Sequence, residues 1–352
     1  MNNLNAELNA TVAKVRAVYG KRLTDSDYAE LESRKTVGEA AEYLKKNTYY
    51  SDALANVDAS SVHRGFLESL LHRAYYDRYE KLCRFQNLND KPFYNFLLIR
   101  SEIRELLKAL LFLNNDEKDV YIESMHAHLL RKARFDMIEL AKAPGYDALL
   151  QVIRHTPYYN VLKGIEPFKD GHIPYTKCEV ALRTYYHKWL FDTAEKELSG
   201  NAGAALSDQI KIQVDVINLI NAYRMKKFFS AGADEIRSKM LPFYGKLSKE
   251  KQNLLFETRT PEEFIHMLAG TVYGRRMELT DENMSSEQFE KELIKMRCTA
   301  AKRSLTFSDN AAVSIYSYMY LSEVEFSNII SIIESIRYNK SVSYMENLIV
   351  KL

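Results

Sequence analysis

Residues Tyr318 to Tyr338 read YMYLSEVEFSNIISIIESIRY. The stretch contains no Gly or Pro, and its apolar residues return at helical spacing. Wound at 100° per residue, it places Ile329, Ile332 and Ile336 on one narrow stripe. Glu325 falls in the middle of that stripe, with Asn328 beside it. A carboxylate at the centre of an apolar face is costly unless it is paired or hydrogen-bonded.

Two weaker copies stand upstream. From Asp215 the chain reads DVINLINAYRMKKF, with Asn218 three residues on and Leu219, Ala222 and Tyr223 on the stripe. From Glu102 it reads EIRELLKALLFL, with Glu105 three residues on and Leu106, Ala109 and Leu113 on the stripe. Asp215 lies 113 residues after Glu102, and Glu325 lies 110 after Asp215. A second landmark keeps the period: Thr48-Tyr49-Tyr50, Thr156-Pro157-Tyr158 and Thr271-Val272-Tyr273 are 108 and 115 residues apart. In a long middle helix, Arg73 with Tyr75-Tyr76 matches Arg183 with Tyr185-Tyr186. Arg297 takes the third place, where Thr299-Ala300 stand instead of the tyrosines. Landmarks in one order at one period indicate a repeat. The period exceeds that of common solenoids and fits a module of several helices. The expected modules are residues 1–118, 119–229 and 230–352.

Composition agrees with a helical chain. Its 352 residues exceed one simple bundle core. Twelve Gly and seven Pro fall below average usage, which favours long helices with few turns. Forty-nine Lys and Arg balance 47 Asp and Glu, which gives no support for a nucleic-acid partner. Cys83, Cys178 and Cys298 form no CxxC pair, as expected of reduced cytosolic thiols. The opening MNNLNAELNATVAKVR has no apolar run of a signal peptide, and no window is apolar enough to span a bilayer. No direct membrane insertion is expected.

In order, the helices expected are Asn9 to Leu23, one beginning at Tyr28, and TVGEAAEYLKKN from Thr36, where Thr36 and Glu39 have capping-box spacing. HRGFLESLLHRAYYDRYEKL follows, then the break QNLNDKP and the Glu102 helix. The second pass runs YIESMHAHLLRKARFDMIELA, the turn Pro144-Gly145, YDALLQVIRHT, CEVALRTYYHKWLFDTAEKEL, a connector SGNAGAAL and the Asp215 helix. The third has a helix from Ala233 to Leu247, then one opened by Thr260-Pro261, then SEQFEKELIKMRCTAAKRSL and the loop TFSDN before the terminal helix.

Several residues invite a chemical role. Glu102, Asp215 and Glu325 could handle ions or protons, or could be satisfied buried acids that fix packing. The second reading is favoured, with Arg73, Arg183 and Arg297 as candidate ion-pair partners and Asn218 and Asn328 as companion polar residues. Glu123-x-x-His126 and Glu263-x-x-His266 have the Glu-x-x-His spacing of di-iron bundles, but they occupy different places in their modules and are not expected to meet. GxSxG, GxxxxGK[ST] and GxGxxG do not occur, and no Cys has an activating neighbourhood. No catalytic, cofactor or metal site is assigned. The 24 tyrosines, several in pairs, suit either helix packing or an interface.

The terminal YLSEVEFSNIISIIESIRY, the Thr-x-Tyr phrase closing TVGEAAEYLKKN, and the opening VAKVRAVYGKRL resemble the C-subunit family of the V-type and A-type ATPases (ATP synthases), whose eukaryotic counterpart is the V-ATPase d subunit. Length, helical content and threefold repeat match it across the chain. The resemblance implies an all-α funnel of three similar modules around a pseudo-threefold axis. It further implies a central-stalk connector that binds no nucleotide, holds the shaft subunits of D and F type, and sits on the cytoplasmic face of the membrane rotor ring. The alternative is a helical-repeat interaction scaffold unrelated to rotary ATPases.

Overall fold

A computed structural model describes residues 2–85, 87–115, 121, 129–277, 279 and 284–352, with backbone alone for 2–9 and 89. The architecture is all-helical, and no strand occurs among the described residues. In chain order the helices are α1 (Asn2–Tyr19), α2 (Asp25–Glu32), α3 (Val37–Asn47), α4 (Arg64–Arg84), α5 (Phe96–Asn115), α6 (Met137–Lys142), α7 (Tyr146–Val152), α8 (Pro157–Leu162), α9 (Tyr175–Glu197) and α10 (Gly200–Phe229). Then come α11 (Ala233–Lys239), α12 (Lys249–Glu257), α13 (Pro261–Ala269), α14 (Ser286–Phe307), α15 (Ala311–Arg337) and α16 (Val342–Leu348). Among the described residues, no helix is long and apolar enough to cross a membrane.

The capping residues act as their types dictate. Thr36 Oγ1 accepts from the Glu39 amide, while the Glu39 carboxylate accepts from the Lys35 amide, one residue outside the expected box. Thr260 caps α13, with Pro261 at the first helical position, where its missing N–H costs nothing. The predicted connector SGNAGAAL is helical instead: α10 begins at Gly200. Its alanines favour helix. Gly203 is required by space, since a Cβ there would lie 2.7 Å from the Leu198 carbonyl oxygen. Helix α1 likewise begins earlier than expected, at Asn2.

In three places helix is missing where the periodicity predicts it. α1 stops at Tyr19, four residues before Leu23. Residues 129–135 form turns rather than a helix continuous with α6. α11 stops at Lys239, not Leu247. The freed amides serve the buried acids described below.

The acid helices α5, α10 and α15 carry the apolar stripes, and each stripe is covered by helices that follow it in the repeat order. Leu106 and Ala109 share one core with Leu140, Leu149, Tyr158 and Leu162. Leu219, Ala222 and Tyr223 share another with Ile236, Leu255, Phe264 and Leu268. Ile329, Ile332 and Ile336 share a third with Leu31, Ala41, Leu44 and Tyr50, from the opposite end of the sequence. Each fully buried branched aliphatic side chain contributes about 1.5–3 kcal/mol. Burial of the stripe therefore helps to tie α15 to α2 and α3.

Candidate functional site: three buried acids and their tyrosines

Glu102, Asp215 and Glu325 are buried to within 1 % of completely. Each acts as a hydrogen-bond acceptor for the same two kinds of donor: a Thr-x-Tyr hydroxyl and backbone amides from a turn.

Asp215 has the fullest set. The amides of Gly245, Lys246 and Leu247 donate to its carboxylate at 3.0, 2.6 and 2.9 Å. Gln252 Nε2 donates at 3.0 Å and Tyr273 Oη at 2.8 Å. Burial pushes the Asp215 carboxyl above the ordinary value, and the amides and the tyrosine hydroxyl pull it back only in part. Tyr273 in turn is raised by its own burial and then by the Asp215 charge.

At Glu102, the Arg134 amide donates at 2.6 Å, its Nε and Nη2 at 3.0 and 2.6 Å, and Tyr158 Oη at 2.6 Å. At Glu325, the Leu23 amide donates at 2.8 Å and Tyr50 Oη at 3.1 Å, joined by the Tyr49 hydroxyl. Arg78 lies 4.3 and 4.7 Å over the rings of Tyr49 and Tyr50, a cation stacked on the phenols that hold the acid.

Local chemistry places the tyrosines. Thr48, Thr156 and Thr271 each turn their hydroxyl back onto a carbonyl three or four residues earlier, at 2.6–2.7 Å. Thr48 and Thr271 also accept from the amide of the tyrosine two residues on. The threonine closes the helix and aims the tyrosine.

The polar residue three after each acid has a related task in two cases. Asn218 clasps Leu241, accepting from its amide at 2.9 Å and donating to its carbonyl at 3.0 Å. Asn328 clasps Val350 in the same way at 3.0 and 2.7 Å, and also donates to Tyr28 Oη. Glu105 accepts from Lys108 at 3.1 Å.

The expected arginine partners are corrected. Among the described residues, Arg73, Arg183 and Arg297 do not reach these acids. Arg73 is exposed and faces Asp77 at 3.8 Å, and Arg183 pairs with Glu179, each along its own helix. Arg297 donates to Gln213 Oε1 at 2.7 Å and lies 3.6 Å over the Tyr320 ring. Amides, an amide side chain and a phenol give Asp215 five donors, and one amide and two phenols give Glu325 three, with no cation among them. The arginine that does meet an acid, Arg134, comes from a turn whose apolar spacing reads as helix.

Of the Glu-x-x-His pairs, Glu123 and His126 lie outside the described residues. Glu263 accepts from the Arg259 amide at the start of α13, and His266 is exposed. No group of three His, Cys, Asp or Glu side chains among the described residues could hold a metal. Cys83, Cys178 and Cys298 are free, buried thiols. Chemically, the three acids are buried acceptors that each take several hydrogen bonds from distant segments, suited to fastening one segment to another.

The profile of the ATP synthase (C/AC39) subunit family matches residues 11–348. Among curated proteins, the chain is 26% identical to the C subunit of the A-type ATP synthase of Methanosarcina mazei over 74% of this chain and 69% of that protein. It is 26% identical to the protein of the same name from Methanosarcina acetivorans, over 90% of this chain and 86% of that protein. Its namesake in Methanosphaera stadtmanae is 24% identical over 61% of this chain and 53% of that protein.

Proposed function

The chain belongs to the ATP synthase (C/AC39) subunit family, and from that premise we propose that it is the non-catalytic central-stalk connector of a rotary ATPase. In this role it joins shaft subunits of D and F type to the membrane rotor ring. It sits on the cytoplasmic face, peripheral to the membrane through that ring, and couples ATP turnover to proton or sodium movement. The modules are residues 1–118, 119–229 and 230–352, arranged as a funnel around a pseudo-threefold axis. Glu102, Asp215 and Glu325, with Asn218 and Asn328, act as polar pins between them.

One observation carries the reading. Each acid takes its tyrosine hydroxyl from the next sequence copy, and the last returns to the first: Glu102 to Tyr158, Asp215 to Tyr273, Glu325 to Tyr50. A linear stack keeps its terminal repeats apart, each touching only its neighbours. The Glu325–Tyr50 bond, together with the apolar stripe around it, instead supports closure. A closed threefold body offers a round base to a ring and a socket to a shaft, and transmits torque because its parts are fastened in both directions.

The test is removal of the chain from its native host. Membrane vesicles should then lose ATP-driven ion uptake, while catalytic heads released from them still hydrolyse ATP. Undiminished ATP-driven uptake without the chain would overturn the proposal.

A further inference from the structure

An open cavity of about 420 Å³ lies between α5, α9, α10, α14 and α15. Arg100, Arg104, Arg183 and Arg297 line it, against Glu290 and Glu323. Glu290 is bound to Arg224. Glu323 holds Arg100 at 2.7 Å, with Arg104 3.8 Å away. Arg183, half exposed, pairs with Glu179. Arg297 forms no ion pair among the described residues; its donors meet the neutral Gln213 amide and its plane meets the Tyr320 ring. The wall therefore carries more guanidinium charge than its carboxylates neutralise.

A second group registers that excess. His187 is buried on the same wall, with Nδ1 2.8 Å from the Arg183 carbonyl oxygen. A carbonyl can only accept, so Nδ1 carries the proton and Nε2 accepts from Gln213 Nε2 at 3.2 Å. Burial, opposed in part by the hydrogen bond to the Arg183 carbonyl and helped by the charges of Arg183, Arg297 and Arg100, pushes this imidazole down to about 4. The wall disfavours another cation and has room for an anion.

We propose that the cavity binds a tetrahedral oxyanion of the phosphate class, free or as the terminal group of a phosphate ester, with Arg297 as the principal donor and Arg183 at the rim. The planar guanidinium fork matches two phosphate oxygens at once, which an ammonium does not. The volume lies within the range of small-molecule sites and exceeds what one phosphate fills. This site does not depend on the stalk reading.

The experiment titrates the purified full chain with inorganic phosphate and, separately, with glycerol 3-phosphate, by calorimetry and thermal melting. Chloride replaces the ligand at constant ionic strength in the reference. Saturable binding is expected, with a rise in Tm that chloride does not produce. Arg297→Gln should weaken it by about tenfold or more. Arg183→Gln, at an exposed position with little bearing on folding, should weaken it as well. Arg237→Gln, which breaks pairs on α11 and α12, should not. Binding of phosphate alone identifies the free ion, and binding of glycerol 3-phosphate alone identifies an ester. Equal effects of phosphate and chloride, or unchanged binding in both cavity variants, would overturn the proposal.

Discussion

Tyr50 Oη donates to Glu325 Oε1 at 3.1 Å across 275 residues of sequence. The equivalent bonds, Tyr158 to Glu102 and Tyr273 to Asp215, span 56 and 58 residues. In those two the tyrosine follows its acid; in the first it precedes it. One local rule, acid helix to the next Thr-x-Tyr phrase, is thus applied three times, and its third use joins the end of the chain to its beginning.

Removing one phenol tests the worth of such a bond. Tyr273→Phe keeps the ring and leaves a buried carboxylate short of one donor, which should lower stability by about 1–3 kcal/mol in denaturant unfolding. Tyr344→Phe, at a half-exposed ring, should cost less than about 0.5 kcal/mol. Equal small losses at both positions would mean that the Asp215 bond contributes nothing.

Sequence legibility divides along physical lines. The stripe of Ile329, Ile332 and Ile336, the acids and the Thr-x-Tyr phrases are encoded by spacing and residue type, so the helices and the burial of the acids can be read directly. The donors cannot. Leu23, Arg134 and Gly245 to Leu247 give backbone amides, and an amide has no residue-type signature. The stretches carrying them look helical because their apolar spacing continues past Tyr19, through 129–135 and past Lys239. Helical periodicity there is overridden by the need of three buried carboxylates for hydrogen bonds. The tyrosines are visible in the sequence, but not that each serves the acid of the preceding copy. The similar offsets of Tyr158 from Glu102 and of Tyr273 from Asp215, 56 and 58 residues, are the available clue.

Gly245 gives a more drastic test of the Asp215 turn. A Cβ at this position would meet the Lys211 carbonyl oxygen at 2.3 Å and the Asp215 carboxylate at 2.6 Å. Gly245→Ala should therefore displace the turn and cost about 2–4 kcal/mol, more than loss of the single phenol. Gly232→Ala, where a Cβ would meet nothing within 4 Å, is the control. If the two alanine variants unfold alike, the close packing of the turn on Asp215 is wrong.

The chain should lose stability in mild acid because of His187. Folded, its imidazole titrates at about 4; unfolded, near the ordinary 6.5. Between those values the unfolded chain binds the extra proton, so stability falls as pH drops from about 6.5 toward 4 and this contribution levels off below it. One such group gives a slope of at most about 1.4 kcal/mol per pH unit. Other groups titrate in the same window, so the comparison is with His187→Gln, whose slope should be shallower. Identical slopes would exclude His187 as a source of the acid sensitivity.

Glu325→Ala should have an effect beyond this chain. It leaves the Tyr49 and Tyr50 hydroxyls and the Leu23 amide without their acceptor and opens a void, at a cost of about 2–4 kcal/mol. The expected phenotype is weakened assembly, with ATP hydrolysis by detached catalytic heads unchanged. Loss of hydrolysis by those heads would show that Glu325 does more than fasten.

The most direct test of the central claim is copurification. An affinity tag on this chain, expressed in its native host, is used to isolate complexes from gently solubilised membranes. The account predicts that shaft subunits and rotor-ring subunits of one rotary ATPase are recovered with it, and that Glu325→Ala reduces their recovery. A chain that emerges from those membranes without shaft or ring subunits would contradict the account.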